Sequence, residues 1–335
     1  MSQDSTSGSV WPEEDGLVFA CQLDGRGGAR RLRWADIETG AAAGGALWAH
    51  FDRKSTRVAA WLRQRSGLTE STIDALLAEE TRPRVFRGKN GTIAILRGIN
   101  TNPGAVAENM VSIRIWSDGT RVLTLRHRRL QSPRDVLAQL IDQKSGPTNA
   151  AQLFEQLIAR LTERKAKTIN DFDDELDEIE ENLEEGDARE SRRRLSDLRQ
   201  EAVVLRRYIA PQREALSSLV IDPPQWLEDA SRTKLRETSD RLTRYVEEID
   251  AARERSMVLK DDISNRLAES TNNTLYILSI ISAVFLPLGF LTGLLGVNVG
   301  GMPGVDSPYA FWVATAVMVL IVTLEVLLFR RLKWL

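Results

Sequence analysis

GLLGVNVGGMPGVDSP, residues 293–308, separates two apolar runs near the C-terminal end of this 335-residue chain. On its N-terminal side, Leu275–Leu295 holds 21 residues without a charge; on its C-terminal side, Ala310–Phe329 holds 20, broken only by Glu325. At 1.5 Å of rise per residue each run covers roughly 30 Å, the thickness of a bilayer core. A core helix of that length in a soluble protein normally keeps a polar stripe, so the two runs read as membrane spans. Only about fourteen residues separate them. They therefore form a hairpin, and Gly296-Val297-Asn298 falls where the first span leaves the membrane.

Charge orients the hairpin. The connection Gly296–Tyr309 has no Lys or Arg, whereas the tail carries Arg330, Arg331 and Lys333. Positive charge marks the inner side. The N-terminal stretch MSQDSTSGSVWPEEDG has neither a basic region nor an apolar core, so no signal peptide is expected there. The residues before the first span are placed in the cytoplasm. Two spans per chain cannot enclose a polar path through lipid. Either they anchor another activity or several chains assemble about an axis. The lone Cys21 fits a reducing compartment and a buried strand position.

The remainder divides near Lys144. Up to that residue Lys and Arg number 21 against 16 Asp and Glu; from Ser145 to Thr274 the figures are 21 and 29. The first part has short β-like runs: LVFACQL from Leu17, GALWAHF ending at Phe51, GTIAILRGI from Gly91, MVSIRIW from Met110 and RVLTLRH from Arg121. Asn90-Gly91 and Asp118-Gly119 are hairpin signals. Ser55–Ser66 and Thr69–Glu80 read as helices opened by capping residues. The second part is helical. Ile169, Phe172, Leu176, Ile179 and Leu183 keep a 3-4-3-4 spacing, as do Leu235, Thr238, Leu242, Tyr245, Ile249 and Ala252, the narrow seam of packed long helices. Gly186 and Pro223-Pro224 break the pattern. After Pro224 a single helix is expected from about Gln225 to Val297.

At 100° per residue, Asn272, Ser279, Ser282, Gly289 and Gly293 share roughly a third of the first span's circumference, with Leu275 and Leu286 on the same face. Small and hydroxylated residues on one side serve close helix packing in lipid or the lining of a narrow pore; composition alone leaves both open.

The layout resembles the CorA superfamily of divalent-cation channels and transporters: a helical span ending in Gly-Val-Asn, a glycine-rich loop, a second span and a basic tail. Most of that family carries Gly-Met-Asn here. Gly296-Val297-Asn298, followed by VGGMPG and a terminal KWL, looks like the zinc-transporting ZntB branch. The resemblance covers the whole chain and implies a funnel-shaped homopentamer, with five copies of the first span about the pore. It implies that Gly296, Val297 and Asn298 form the ion-selectivity motif, with Asn298 as a carboxamide ring that hydrogen-bonds the water shell of a hydrated dication. Asn272, Leu275, Leu278, Ser279, Ser282, Leu286, Gly289 and Gly293 become pore-lining, with Leu275, Leu278 and Leu286 as apolar constrictions.

The expected fold class is an α+β, α/β/α-like cytoplasmic domain followed by a long-helix stalk and two C-terminal transmembrane helices. The expected division is a cytoplasmic α/β domain at 1–144, a helical stalk at 145–274, the first transmembrane helix at 275–298, a periplasmic loop at 299–309, the second at 310–329 and a basic tail at 330–335. The expected function is transport of divalent cations, most of all Zn²⁺, across the bacterial inner membrane, with both termini cytoplasmic. The alternatives are a Mg²⁺, Co²⁺ or Ni²⁺ channel of the same superfamily, or a membrane-anchored scaffold that uses the stalk to bind a partner. His50 and His127 stand alone, and no CxxC or HExxH occurs, so no dry Cys/His zinc site is expected. No catalytic constellation, cofactor motif or nucleic-acid platform is present; the Arg126–Arg129 run is short and lacks an aromatic partner. Ten acids fall within Asp171–Glu185, read as a solvated helix face, partly neutralised by the neighbouring arginines, or as a cytoplasmic ring that gathers cations. Glu325 is expected to reach the headgroups or to pair with Arg330 or Arg331.

Overall fold

The computed structural model describes residues 11, 13–39, 44–79, 82–106, 109–182, 187–297, 304 and 307–332. The chain divides into two compact units, 1–260 and 261–335.

The first unit is built on seven strands: β1 (Leu17–Leu23), β2 (Ala29–Leu32), β3 (Leu47–Asp52), β4 (Arg84–Gly88), β5 (Gly91–Gly98), β6 (Val111–Ser117) and β7 (Arg121–Arg126). They form one sheet in the order β2-β1-β3-β7-β6-β5-β4. Only β3 and β7 run parallel. The five strands expected from apolar runs are present. The two that carried no such signal, β2 (ARRL) and β4 (RVFRG), are the edges of the sheet. Edge strands expose charged side chains to solvent, which erases the apolar pattern.

Period-two alternation gives the sheet two apolar faces. Phe51, Ile93, Ile95, Trp116, Leu123 and Leu125 share one core with α1 (Trp34–Glu38), α2 (Thr56–Gln64) and α3 (Glu70–Leu77). Ser55 caps α2, its hydroxyl accepting from the Val58 N–H at 3.4 Å. The opposite face is covered by α4 (Gln131–Ala138), a π-helical turn (Gln139–Gln143) and α5 (Ala150–Glu163), with α5 lying on β5, β6 and β7. His50 is buried on this second face. Its Nδ1 lies 2.8 Å from Thr124 Oγ1, which also accepts from Trp48 Nε1 at 3.0 Å. Burial and nearby Arg126 hold its pKa well below the ordinary imidazole range. Cys21 is fully buried on the same sheet, and burial raises its thiol pKa.

Three further helices follow: α6 (Ala166–Glu181), α7 (Ala188–Ile221) and α8 (Asp229–Leu295). The seams legible in the sequence are buried: Ile169, Phe172, Leu176 and Ile179 on α6, and Leu235, Thr238, Leu242, Tyr245, Ile249 and Ala252 on α8. Leu183 and Gly186 lie outside the described residues. Polar contacts set the directions. Ser217 meets Ser239, and Arg206 meets Asp250. Eleven residues back along α7 match eleven forward along α8, so the pair is antiparallel. Asn149 meets Glu228, Glu155 meets Lys234, Glu163 meets Arg241, and Asp177 meets Arg255. Each partner lies 78 or 79 positions further along the chain, so α5 and α6 run parallel to α8 in one register.

Four acids of the stretch, Glu175, Asp177, Glu178 and Glu180, are answered by arginines. Arg194 of α7 binds Glu175 and Glu178 at 3.3 and 2.9 Å, and Arg255 of α8 binds Asp177 and Glu180. Arg194 was visible in the sequence as a neighbour of opposite charge. Arg255 is brought in by packing alone.

Helix α8 starts at Asp229, four residues later than expected, because Trp226 is committed to a turn. Its ring packs edge-on to Phe154, with centroids 5.4 Å apart, and its Cβ lies where a side chain on Gly119 would stand. From Asp229, α8 continues for 67 residues to Leu295, roughly 100 Å at the usual helical rise.

Candidate functional site on the long helix

The second unit contains the C-terminal part of α8 and helix α9 (Ala310–Arg331). Both are long and apolar enough to cross a membrane. Arg330 and Arg331 close the last turn of α9, where cations favour both the helix dipole and the inner membrane face.

Each helix carries one sheltered stripe. On α8 the part-buried residues are Ile280, Val284, Pro287, Leu288 and Leu291; on α9 they are Ala314, Thr315, Met318, Ile321, Val322 and Glu325, ending at buried Phe329. Both stripes repeat at the 3–4 spacing of packed helices. A small cavity between them is lined by Tyr276, Ser279, Ile280, Ala283 and Phe329. The stripe on α8 is centred about 160° round the helix from Ser282, Leu275, Leu286 and Gly293, at 100° per residue. The small and hydroxylated face is thus the one α9 leaves uncovered.

The proposed lining residues fall as follows. Asn272, Leu275, Leu278, Ser282, Leu286, Gly289 and Gly293 are exposed on α8 in the single chain. A Cβ added at Gly289 or Gly293 would meet nothing within 4 Å. Ser282, Phe285, Leu286, Gly289 and Phe290 border an open, apolar groove. Ser279 sits at the edge of this face, since it also lines the cavity with Phe329 of α9, and its hydroxyl donates back to the Leu275 carbonyl at 2.7 Å. Gly296 follows the last helical residue, its N–H donating to the Thr292 carbonyl at 2.9 Å. A Cβ there would stand 3.0 Å from that same oxygen. The helix ends at this glycine, and Val297 is already non-helical. Asn298 and Asp306 lie outside the described residues.

Of the two expectations for Glu325, pairing with Arg330 or Arg331 is not met. No ion pair joins it to Arg330 or Arg331 among the described residues, and its Oε2 is buried without a hydrogen-bond partner. Helical geometry explains this. Residues five and six apart point in different directions, whereas pairing needs a separation of three or four. Glu325 instead lies on the stripe that faces α8.

The family model described as CorA-like Mg²⁺ transporter protein matches residues 43–331. The chain belongs to the CorA family. The divalent cation transporter CmaX of Pseudomonas aeruginosa is 41% identical over 327 residues, covering 96% of this chain and 98% of its own. The zinc transport protein ZntB of Yersinia enterocolitica is 36% identical over 318 residues, covering 95% and 96%. The structure of full-length CmaX aligns with a TM-score of 0.82 at 39% identity over 98% of this chain and all of its own. The CorA magnesium transporter of Methanocaldococcus jannaschii shares the fold, with a TM-score of 0.78 at 19% identity over 94% and 98% of the two chains. These CorA-family relatives are transporters, and the chain is not an enzyme. The resemblance to the ZntB branch seen at Gly296-Val297-Asn298 extends over the whole length.

Proposed function

We propose that this chain carries divalent cations, with Zn²⁺ as the cargo, across the bacterial inner membrane, and that it does so as a homopentamer. Five copies of α8 surround the path, and α9 lies outside them with both termini in the cytoplasm. The observation that carries the reading is the orientation of α8. Its face of Ser, Gly and Asn residues is turned away from α9, the other membrane-length helix among the described residues, and a scaffold has no need of such a face. In this arrangement Asn272, Ser282, Gly289 and Gly293 line the path, Leu275, Leu278 and Leu286 narrow it, and Ser279 stands at the border between path and α9. Gly296 and Val297 end the helix at the outer mouth, and Asn298 supplies a ring of neutral carboxamides. Such a ring hydrogen-bonds the water shell of an ion that dehydrates reluctantly, without replacing that shell. The relatives named for zinc and for divalent cations in general support zinc as cargo.

Purified protein in liposomes should take up Zn²⁺, and Asn298→Ala should reduce that uptake strongly while the assembly elutes unchanged on gel filtration. Uptake of Mg²⁺ or Co²⁺ but not Zn²⁺ would assign a different cargo to the same path. Normal zinc uptake by the mutant would remove Asn298 from the filter, and absence of uptake for every dication would favour the scaffold.

A further inference from the structure

Among the described residues, Glu155 is the one acidic side chain that is buried. It lies on α5 with only 3% of its surface exposed. Its Oε2 has no hydrogen-bond partner, and its nearest cation is Lys234 Nζ of α8, 4.0 Å away. The other charges of this junction do little for it. Glu237 of α8 and Glu163 of α5 repel it. Glu163 itself is held by Arg160 at 2.8 Å and by Arg241 of α8 at 3.5 Å. From α4, Asp135 is taken by Arg164 at the far end of α5. The charges that act on Glu155 are those of Lys234, Glu163 and Glu237, and none comes from β5, β6 or β7, the strands on which α5 lies. Phe154, the next residue back, holds Trp226 in the turn that leads into α8.

We propose that Glu155 is a proton-binding site that sets how firmly α5 grips the start of α8, so that the grip loosens as the surrounding pH rises. A carboxylate removed from water with a single lysine at 4.0 Å is poorly compensated, whereas the neutral acid is not penalised. Opening the junction returns the carboxylate to water and is favoured once it ionises. Burial raises the Glu155 pKa from 4.5 to about 7, with Lys234 opposing the shift. The sign follows. Below pH 4.5 both closed and open forms hold the proton. Between 4.5 and 7 the closed form holds it and the open form does not, so each rise in pH favours opening. Above 7 the effect is complete. The junction therefore works on the acidic side of neutrality and up to it. Helix α8 runs without a break from this junction into the first span; a consequence for ion flux rests on the transport reading above, but the proton site itself does not.

Hydrogen exchange of the full-length protein, corrected for intrinsic rates, tests the site. Protection of peptides covering 150–163 and 226–242 should fall by about sixtyfold between pH 5 and 7.5. Glu155→Gln, neutral at every pH, should hold the low-pH protection throughout. Lys234→Met, which removes the cation that opposes the shift, should move the midpoint upward. Protection that does not vary with pH in the wild type, or that varies equally in Glu155→Gln, overturns the proposal. If Glu155→Gln fails to fold, an unmoved midpoint in Lys234→Met overturns it independently. Zinc uptake measured alongside separates the two readings: exchange that depends on Glu155 without any dication uptake leaves the proton site standing and removes the transport role.

Discussion

A Cβ on Gly119 would stand 2.5 Å from the Cβ of Trp226. Gly119 turns the β6–β7 hairpin with φ +89°, and Trp226 leads into the long helix. The sheet and the helix that enters the membrane therefore meet at a position only glycine fits. Arg87 of β4 adds a second tie to the same turn, its guanidinium donating to the Asp222 carboxylate at 2.8 Å and to the Pro223 carbonyl at 2.6 Å.

Gly119→Ala combines an unfavourable backbone region with a collision against backbone-proximal atoms that cannot swing away. The expected cost is about 1–3 kcal/mol. Thermal unfolding of the full-length protein should shift downward, and exchange at 222–230 should rise before any change in β3 or β7. An unchanged melting profile would show that the hairpin and the turn separate freely.

Gly293→Leu places a bulky side chain on the uncovered face of α8, where the single chain offers open space. The chain itself should fold normally. Assembly or flux should fail, because the added side chain meets either a neighbouring copy or the ion path. Normal oligomer size together with normal zinc uptake would place the path on another face.

Glu325→Gln should keep zinc uptake and keep its response to an imposed proton gradient. No ion pair with Arg330 or Arg331 is lost, so melting should not fall. Glu325→Met should raise it, since a buried oxygen without a partner is removed. A wild type that responds to the gradient beside a Gln variant that does not would instead make Glu325 part of a coupling path.

Lys165 is wholly buried, its ammonium donating to the Leu161 carbonyl at 2.7 Å. Burial lowers its pKa from 10.5 to about 7. Between pH 7 and 10.5 the unfolded chain holds a proton that the folded chain has released, so stability rises with pH across that window and is lost as pH falls towards 7. The slope from this residue is at most about 1.4 kcal/mol per pH unit. Lys165→Met should abolish it and raise stability at pH 7; urea titrations at pH 7, 8 and 9 measure both. An equal slope in the variant would assign the dependence to another group.

Much of this molecule was legible in the sequence, and for a reason. Apolar length reports a bilayer directly, since a helix needs about twenty predominantly apolar residues to span it, and Leu275–Leu295 and Ala310–Phe329 could be read without knowing any contact. The five central strands and the seams of α6 and α8 were legible because residues buried on one face repeat at the period of the element. The small-residue face of α8 was legible too, as a face, but its direction was not. Which side α9 would cover depends on the pairing of two stripes, one beginning at Ile280 and one ending at Phe329, that no local pattern relates. The edge strands β2 and β4 were missed because an edge needs little apolar surface. Ion-pair partners such as Arg255 for Glu180, the Trp226 contact at Gly119 and the burial of Glu155 join residues tens of positions apart or more. The sequence determined which segments would be helix, strand and span, because those follow from local chemistry and period. Only tertiary structure decided which faces meet, which charges are left without partners and where α8 is gripped, because these depend on distances that chain order does not contain.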